Sequence, residues 1–337
     1  MTGIGVIGYG YWGPNLVRNF ALAPGAKVAA VSDMRDDRLA MVRNQYPGAL
    51  TTKDAQELIE SPAVDAVVVA TPVSMHFDLA MRVLRAGKHV LIEKPITATT
   101  AEAEALINEA ERRSLVLMVD HTFLYTGAVK KIKELVANGE LGQLYYYDSV
   151  RVNLGLFQHD VNVVWDLAVH DLSIMDYILS ASPTAVSAMG VAHVPGQPED
   201  VAYLTVFFPD NLIAHFHVNW LSPLKLRRTL IGGSRKMIVY DDLEPSEKVK
   251  VYDKGISLNP QPDGIYKLLV GYRSGDMWAP NLDGAEALRN VARHFVESID
   301  KGQRPLSDGA AGLRVVRILE AASQSIRERG KPIELSG

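Results

Sequence analysis

The chain contains no cysteine. Disulfides, thiolate catalysis and Cys-ligated zinc or iron–sulfur clusters are thereby excluded, and the composition fits a reducing cytosol. No basic run is present either. With a formal net charge of −4, the chain is not expected to grip nucleic acid or an anionic membrane surface. No uninterrupted apolar run reaches membrane-spanning length. Met1 to Val6 carry neither a basic segment nor a long apolar one, so no signal peptide is expected and the location is read as cytoplasmic. A hydrophobic share of 47% against 22% charged residues describes an ordinary globular chain rather than a disordered one. Its 337 residues are long for a single core, which predicts two domains.

The first half alternates strand and helix. Ile4 to Ile7 is a short strand, followed at once by Gly8-Tyr9-Gly10-Tyr11-Trp12-Gly13 and by a helix with Pro14 just inside its start. This is G-x-G-x-x-G in the strand–turn–helix context of a dinucleotide fingerprint, where glycine lets the backbone approach a pyrophosphate at the helix N-terminus. Gly8, Gly10, Tyr11, Trp12 and Gly13 are therefore candidate cofactor contacts. The second strand, Lys27 to Val31, ends at Ser32-Asp33, with Asp33 20 residues beyond Gly13. A carboxylate at that spacing accepts from the adenosine ribose hydroxyls and repels a 2′-phosphate, which favours NAD; Arg35 and Arg38 keep NADP as the alternative.

The next strand, Ala66 to Ala70, ends in Thr71-Pro72-Val73-Ser74-Met75-His76. After a helix closed by Gly87, the strand Val90 to Ile92 runs into Glu93-Lys94-Pro95. Four strands thus deliver glycines, a carboxylate, a Thr-Pro turn and Glu-Lys-Pro to the carboxyl edge of one sheet, where ligands of open parallel sheets bind. Thr71, Pro72, His76, Glu93 and Lys94 join the candidate cofactor contacts on this ground. A helix over about Thr100 to Arg113, capped by Thr99 or Thr100, and a strand Leu115 to Val119 complete an α/β Rossmann domain.

Beyond residue 122 the pattern changes. A helix from about Gly127 to Asn138 precedes β-rich stretches at Leu144–Asn153, Thr184–Ala192, Val201–Phe208, Leu212–Trp220 and Leu226–Ile231. Short turns between them predict a large, mainly antiparallel open sheet in an α+β domain over 123–337, after a nucleotide-binding domain over 1–122. Residues 253–283, rich in Gly and Pro, read as an extended loop. Two helices, Glu286 to Ile299 and about Gly309 to Arg329, close the chain. If helices cover one sheet face only, the other, expected near Phe216, Val218 and Trp220, needs a partner, which predicts a homo-oligomer, dimer or tetramer.

In this half Trp165-Asp166-Leu167-Ala168-Val169-His170-Asp171 opens a helix running to Leu179. Asp166 and His170 are four apart, so one helix face carries both. A carboxylate beside an imidazole fixes its tautomer and raises its basicity, as a general base requires; a helix-start aspartate with a satisfied histidine is the structural alternative. Arg151 and Asn153 share a strand face. With Tyr125, Asn162, Trp165 and the pair His159-Asp160 they are candidate substrate contacts, with packing as the equal alternative. His215 and His217 also share a strand face, but no third ligand is evident, so no metal site is expected.

Taken together, G-Y-G-Y-W-G, S-D, A-T-P-V-S-M-H and A-G-K-H-V-L-I-E-K-P resemble the glucose–fructose oxidoreductase/inositol dehydrogenase (Gfo/Idh/MocA) family over essentially the whole chain. The resemblance implies an NAD-dependent oxidoreductase of a sugar or cyclitol hydroxyl. It places Lys94 beside the nicotinamide and the reacting hydroxyl, after an often cis Lys-Pro bond, and makes Asp166 and His170 the second catalytic motif. Lys94, Asp166 and His170 are then both catalytic and substrate-binding, and which of Lys94 and His170 takes the proton stays open. Members usually carry glycine where Ala168 stands.

Within the family, R-V-N-L-G-L-F-Q-H-D-V-N-V-V-W-D-L-A-V-H-D with K-M-I-V-Y-D-D resembles members that oxidise the 3-hydroxyl of a UDP-N-acetylhexosamine. Their product goes to an aminotransferase, in lipid A, lipopolysaccharide or other surface-polysaccharide synthesis. UDP-N-acetylglucosamine is the expected substrate; its uronic acid, inositol or a free sugar are the alternatives. A non-catalytic NAD(P)-binding sensor is the alternative of another class.

Overall fold

In the computed structural model, residues 1–155, 161–258 and 270–335 are described. The N-terminal strands β1 (Thr2–Ile7), β2 (Ala26–Ser32), β3 (Leu50–Thr52), β4 (Ala66–Val69), β5 (His89–Glu93) and β6 (Leu117–Asp120) form one parallel sheet in the order β3-β2-β1-β4-β5-β6. The apolar runs of β1, β4 and β6 are buried throughout, as strands covered on both faces must be. Helices α1 (Gly13–Leu22), α2 (Asp36–Gln45), α3 (Ala55–Glu60), α4 (His76–Arg85) and α5 (Thr100–Arg113) connect them. This is the doubly wound order in which all strand ends open on one edge. Thr99 caps α5 reciprocally with Glu102, which settles the choice between Thr99 and Thr100.

Among the described residues the second sheet has nine strands in the order β16-β13-β12-β11-β7-β10-β9-β8-β17. After α6 (Gly127–Ala137) come β7 (Leu144–Leu154), α7 (Val169–Ile178), β8 (Ala185–Val191), β9 (Val201–Phe207), β10 (Ile213–Asn219) and β11 (Leu221–Gly233). Then follow β12 (Met237–Asp241), β13 (Val249–Tyr252), β14 (Gly255–Leu258), β15 (Val270–Arg273) and β16 (Met277–Trp278), with β17 (Ile333–Glu334) near the chain end. The sheet is antiparallel except where β10 pairs in parallel with β7. The stretch 253–283, expected as loop, holds β16 and the antiparallel pair β14–β15: Gly and Pro hid strands too short for periodicity to reveal.

Phe216, Val218 and Trp220 are fully buried, so they lie on the covered face of the sheet and not on the open one. Tyr147 on the same face donates to the Asp171 carbonyl of α7. The open face instead carries Tyr203, Ile213 and His215, with His217 stacked on Tyr203 at 4.5 Å between ring centroids. Alternation alone assigns residues to two faces but not which face meets the helices.

The last two helices are α8 (Ala287–Lys301) and α9 (Gly309–Arg327), the latter begun by Asp308, whose Oδ1 accepts the Ala311 amide. By compactness the chain divides into 1–126 with 284–320, and 127–283 with 321–337. A single cut at 122/123 therefore differs from this division, because α8 and the first turns of α9 group with the parallel sheet. Phe295 of α8 meets Phe20 of α1 edge-on at 6.1 Å, and the Ser307 hydroxyl donates to the Val119 carbonyl of β6. Such contacts between distant segments leave no trace in local patterning.

Candidate active site

In the first unit, the turn after β1 is held by backbone geometry. Gly8 has φ +99°, and a Cβ there would lie 2.4 Å from the Ala70 carbonyl oxygen, so only glycine fits. At Gly10 a Cβ would meet nothing, leaving open space against the backbone. The N-terminus of α1 has no side-chain cap and no acid in its first turn. Open space beside Gly10 and an uncapped helix start fit a pyrophosphate. Tyr11 and Trp12 flank this turn, both exposed and packed edge to face.

Asp33 stands at the end of β2. Its Oδ2 accepts the Tyr9 amide at 2.7 Å and its Oδ1 accepts the Arg35 amide at 2.9 Å. The carboxylate thus fastens the glycine turn while only partly exposed.

The ends of β4 and β5 are stitched together by His76. Its Nδ1 lies 2.8 Å from the Pro95 carbonyl and its Nε2 2.9 Å from the Thr71 carbonyl. Burial pushes its pKa down despite those two acceptors. At 1% exposure His76 shapes the Thr71-Pro72 and Lys94-Pro95 turns from behind; both its nitrogens face backbone oxygens, not a ligand. Pro72 is exposed, whereas the Thr71 hydroxyl is buried without a hydrogen-bond partner. The Lys94-Pro95 bond is cis, and Lys94 is half-buried at the strand end.

Two neighbours were not singled out from sequence. Asp120 ends β6 directly beside Glu93, and His121 follows it, 1% exposed with neither ring nitrogen partnered. Burial, reinforced by the Lys94 charge, lowers the His121 pKa to about 3, so it is neutral. The signal for them was position alone, since a strand-end Asp-His after a hydrophobic run looks like any turn.

In the second unit, Val164–Ala168 form a π-helical turn that leads into α7, where a plain helix opening was expected. Such turns insert a residue and redirect side chains, and they concentrate at functional sites. Asn162 starts the segment: its Oδ1 accepts the Val164 and Trp165 amides, and its Nδ2 donates to Glu199. The Trp165 indole donates to Ser323 at 2.8 Å. Asp166 receives the Trp220 indole N–H at 3.0 Å on Oδ2, and His170, one turn along, is half-buried.

Arg151 and Tyr125 are buried and hydrogen-bonded to neighbouring side chains. Arg151, 3% exposed, forms a two-pronged pair with Asp171 at 2.7 and 3.0 Å. The Tyr125 hydroxyl, in the first unit, lies 3.1 Å from both Ser307 Oγ and His294 Nδ1. Asn153 is half-buried near the end of β7. His159 and Asp160 lie outside the described residues. Among the described residues no group of three His, Asp or Glu side chains is placed to hold a metal ion, and no helix is long and apolar enough to cross a membrane.

The family model described as an oxidoreductase family with an NAD-binding Rossmann fold matches residues 2–121, and that of the GFO/IDH/MocA C-terminal domain matches residues 129–239. The chain belongs to the Gfo/Idh/MocA oxidoreductase family. It is 30% identical to UDP-N-acetylglucosamine 3-dehydrogenase of Acidithiobacillus ferrooxidans, over 93% of either chain. It is also 27% identical to myo-inositol 2-dehydrogenase of Thermotoga maritima, over 97% of this chain and 96% of the other. The solved structure of the Acidithiobacillus enzyme superposes with a TM-score of 0.82, covering 97% of each chain at 27% identity. As a Gfo/Idh/MocA member the protein is an NAD-dependent dehydrogenase, and the glycine turn, the α1 start and Asp33 are the residues that would hold the dinucleotide.

Proposed function

We propose that this Gfo/Idh/MocA dehydrogenase oxidises the 3-hydroxyl of a UDP-N-acetylhexosamine, with UDP-N-acetylglucosamine as the substrate. The supporting observation is the 30% identity to a UDP-N-acetylglucosamine 3-dehydrogenase along nearly the whole of both chains. The similarity to inositol dehydrogenases supports a second reading, oxidation of a cyclitol hydroxyl by the same residues.

Bound NAD supplies the hydride acceptor. In this reading His170 takes the hydroxyl proton as general base, and the half-buried Lys94 hydrogen-bonds the same oxygen and steadies its developing charge. Asp166 orients the base, and Glu93 positions Lys94. Asn153 is the remaining substrate contact, beside Trp165 and Asn162, which build the π-helical turn. Retaining Lys94, Asp166 and His170 favours an enzyme over a sensor, which needs no proton relay. The 3-keto product would pass to an aminotransferase, and the chain would act in the cytoplasm as a homo-oligomer through the sheet face bearing Tyr203 and His217.

The test is NADH absorbance after mixing protein and NAD⁺ with UDP-N-acetylglucosamine, its uronic acid or myo-inositol, with a 3-aminotransferase present to draw the ketone away. NADH formed with UDP-N-acetylglucosamine supports the proposal, and signal only with inositol replaces the substrate. Lys94→Ala should abolish turnover while sparing NAD binding; unchanged turnover would remove Lys94 from the mechanism. Sedimentation as a monomer would remove the oligomer.

A further inference from the structure

Two carboxylates end adjacent strands at the Lys94 position. Glu93 and Asp120 are register partners on β5 and β6, so their side chains leave the sheet on the same face. Both are buried, at 9% and 2% exposure. Glu93 Oε2 accepts the Lys94 backbone amide at 3.2 Å. Asp120 Oδ1 accepts the Thr122 hydroxyl at 2.7 Å, but its Oδ2 is buried with no donor at all.

The charges around the pair do not balance if both acids are ionised. Lys94 is the cation that acts on each of them. His121, next in sequence, is neutral, and burial of His76 behind the Lys94-Pro95 turn disfavours a charge there. Two buried anions facing one ammonium leave a net charge, which a protein interior avoids by retaining a proton. A proton between Glu93 and Asp120 removes that excess and supplies the donor that Asp120 Oδ2 lacks.

We propose that Glu93 and Asp120 share one proton and act together as a positioning pair that presents a single negative charge to Lys94. This deepens the dehydrogenase reading above and rests on it only for the role of Lys94. Burial raises the Glu93 pKa, and the Asp120 charge raises it further, so the proton resides mainly on Glu93 while Asp120 accepts the resulting hydrogen bond.

The pair is observable without any substrate, by infrared spectroscopy of the whole protein titrated with pH. The expected signature is a protonated-carboxyl C=O band at neutral pH that shifts in D₂O and disappears reversibly in alkali. Glu93→Gln should abolish it at neutral pH. Asp120→Asn, which removes the neighbouring charge, should move its midpoint down by about one pH unit or more, and Lys94→Met should move it up by a similar amount. Far-ultraviolet circular dichroism and cooperative thermal unfolding report that each variant is folded. If a variant fails to fold, ¹³C-labelling of aspartate and of glutamate in the wild-type protein assigns the band instead. Absence of the band in the wild-type protein, or a midpoint indifferent to both Asp120→Asn and Lys94→Met, overturns the proposal. No readout involves turnover, so a failed substrate panel and a failed proton assignment remain separate results.

Discussion

The Trp220 indole nitrogen donates to Asp166 Oδ2 at 3.0 Å, joining the end of β10 to the π-helical turn before α7. Helical spacing pairs Asp166 with His170, four residues on; the fold gives the same carboxylate a partner 54 residues away. Asp166 thus has a structural duty beside its proposed catalytic one. Asp166→Ala removes the acceptor of a buried N–H and should lower stability by about 1–3 kcal/mol. Asp166→Asn keeps an acceptor oxygen, so its melting temperature should stay near wild type while kcat falls on the order of 10²-fold, within the range of general-base effects. Denaturant unfolding of both variants beside their kinetics separates the two duties.

The open space at Gly10 predicts a substitution that spares the fold and harms the cofactor site. Gly10→Ala meets no protein atom, so its thermal unfolding should match wild type. The added methyl projects where a pyrophosphate would approach, and NAD⁺ affinity by calorimetry should fall about tenfold or more, roughly 1.4 kcal/mol. Undiminished affinity would place the dinucleotide elsewhere.

Arg151 separates packing from substrate recognition. Its paired carboxylate, Asp171, is 4% exposed, so Arg151→Ala leaves an uncompensated buried charge. A loss of about 3–5 kcal/mol in urea unfolding is expected, the usual result of removing one partner of a buried pair. A raised KM with stability intact would instead return Arg151 to the substrate.

The carboxyl pair makes stability depend on pH in a definite sense. Asp120 and Glu93 are raised from ordinary values of 3.8 and 4.5, to about 6 for Asp120 and well above 4.5 for Glu93. The folded chain therefore holds a proton that the unfolded chain has released, and stability falls as pH rises. The contribution is fully present below about pH 4 and is lost as pH passes upward through the folded values. Asp120→Asn should flatten this slope in melting temperatures measured from weakly acidic to weakly alkaline pH.

Much of the first unit was legible in the sequence because its signals are local. Strand–turn–helix order, a glycine turn, a carboxylate at a fixed distance and Glu-Lys-Pro after a short strand arise within a few residues of backbone, and each strand end falls on the same edge once the strands are parallel. The cap of α5 was legible to within one residue, Thr99 or Thr100, for the same reason. Residues whose meaning depends on a distant partner were not. His76 reads as a ligand contact until Thr71 and Pro95 are seen to occupy both its nitrogens, and Arg151 reads as a sugar contact until Asp171 closes on it. By itself, then, the sequence determined the family and the parallel sheet with Lys94 at the end of β5, since periodicity and turn chemistry are written in neighbouring residues. Only the tertiary structure decided which sheet face is covered, where α8 packs, and that Glu93 meets Asp120, because burial and charge balance belong to groups that folding brings together from far apart.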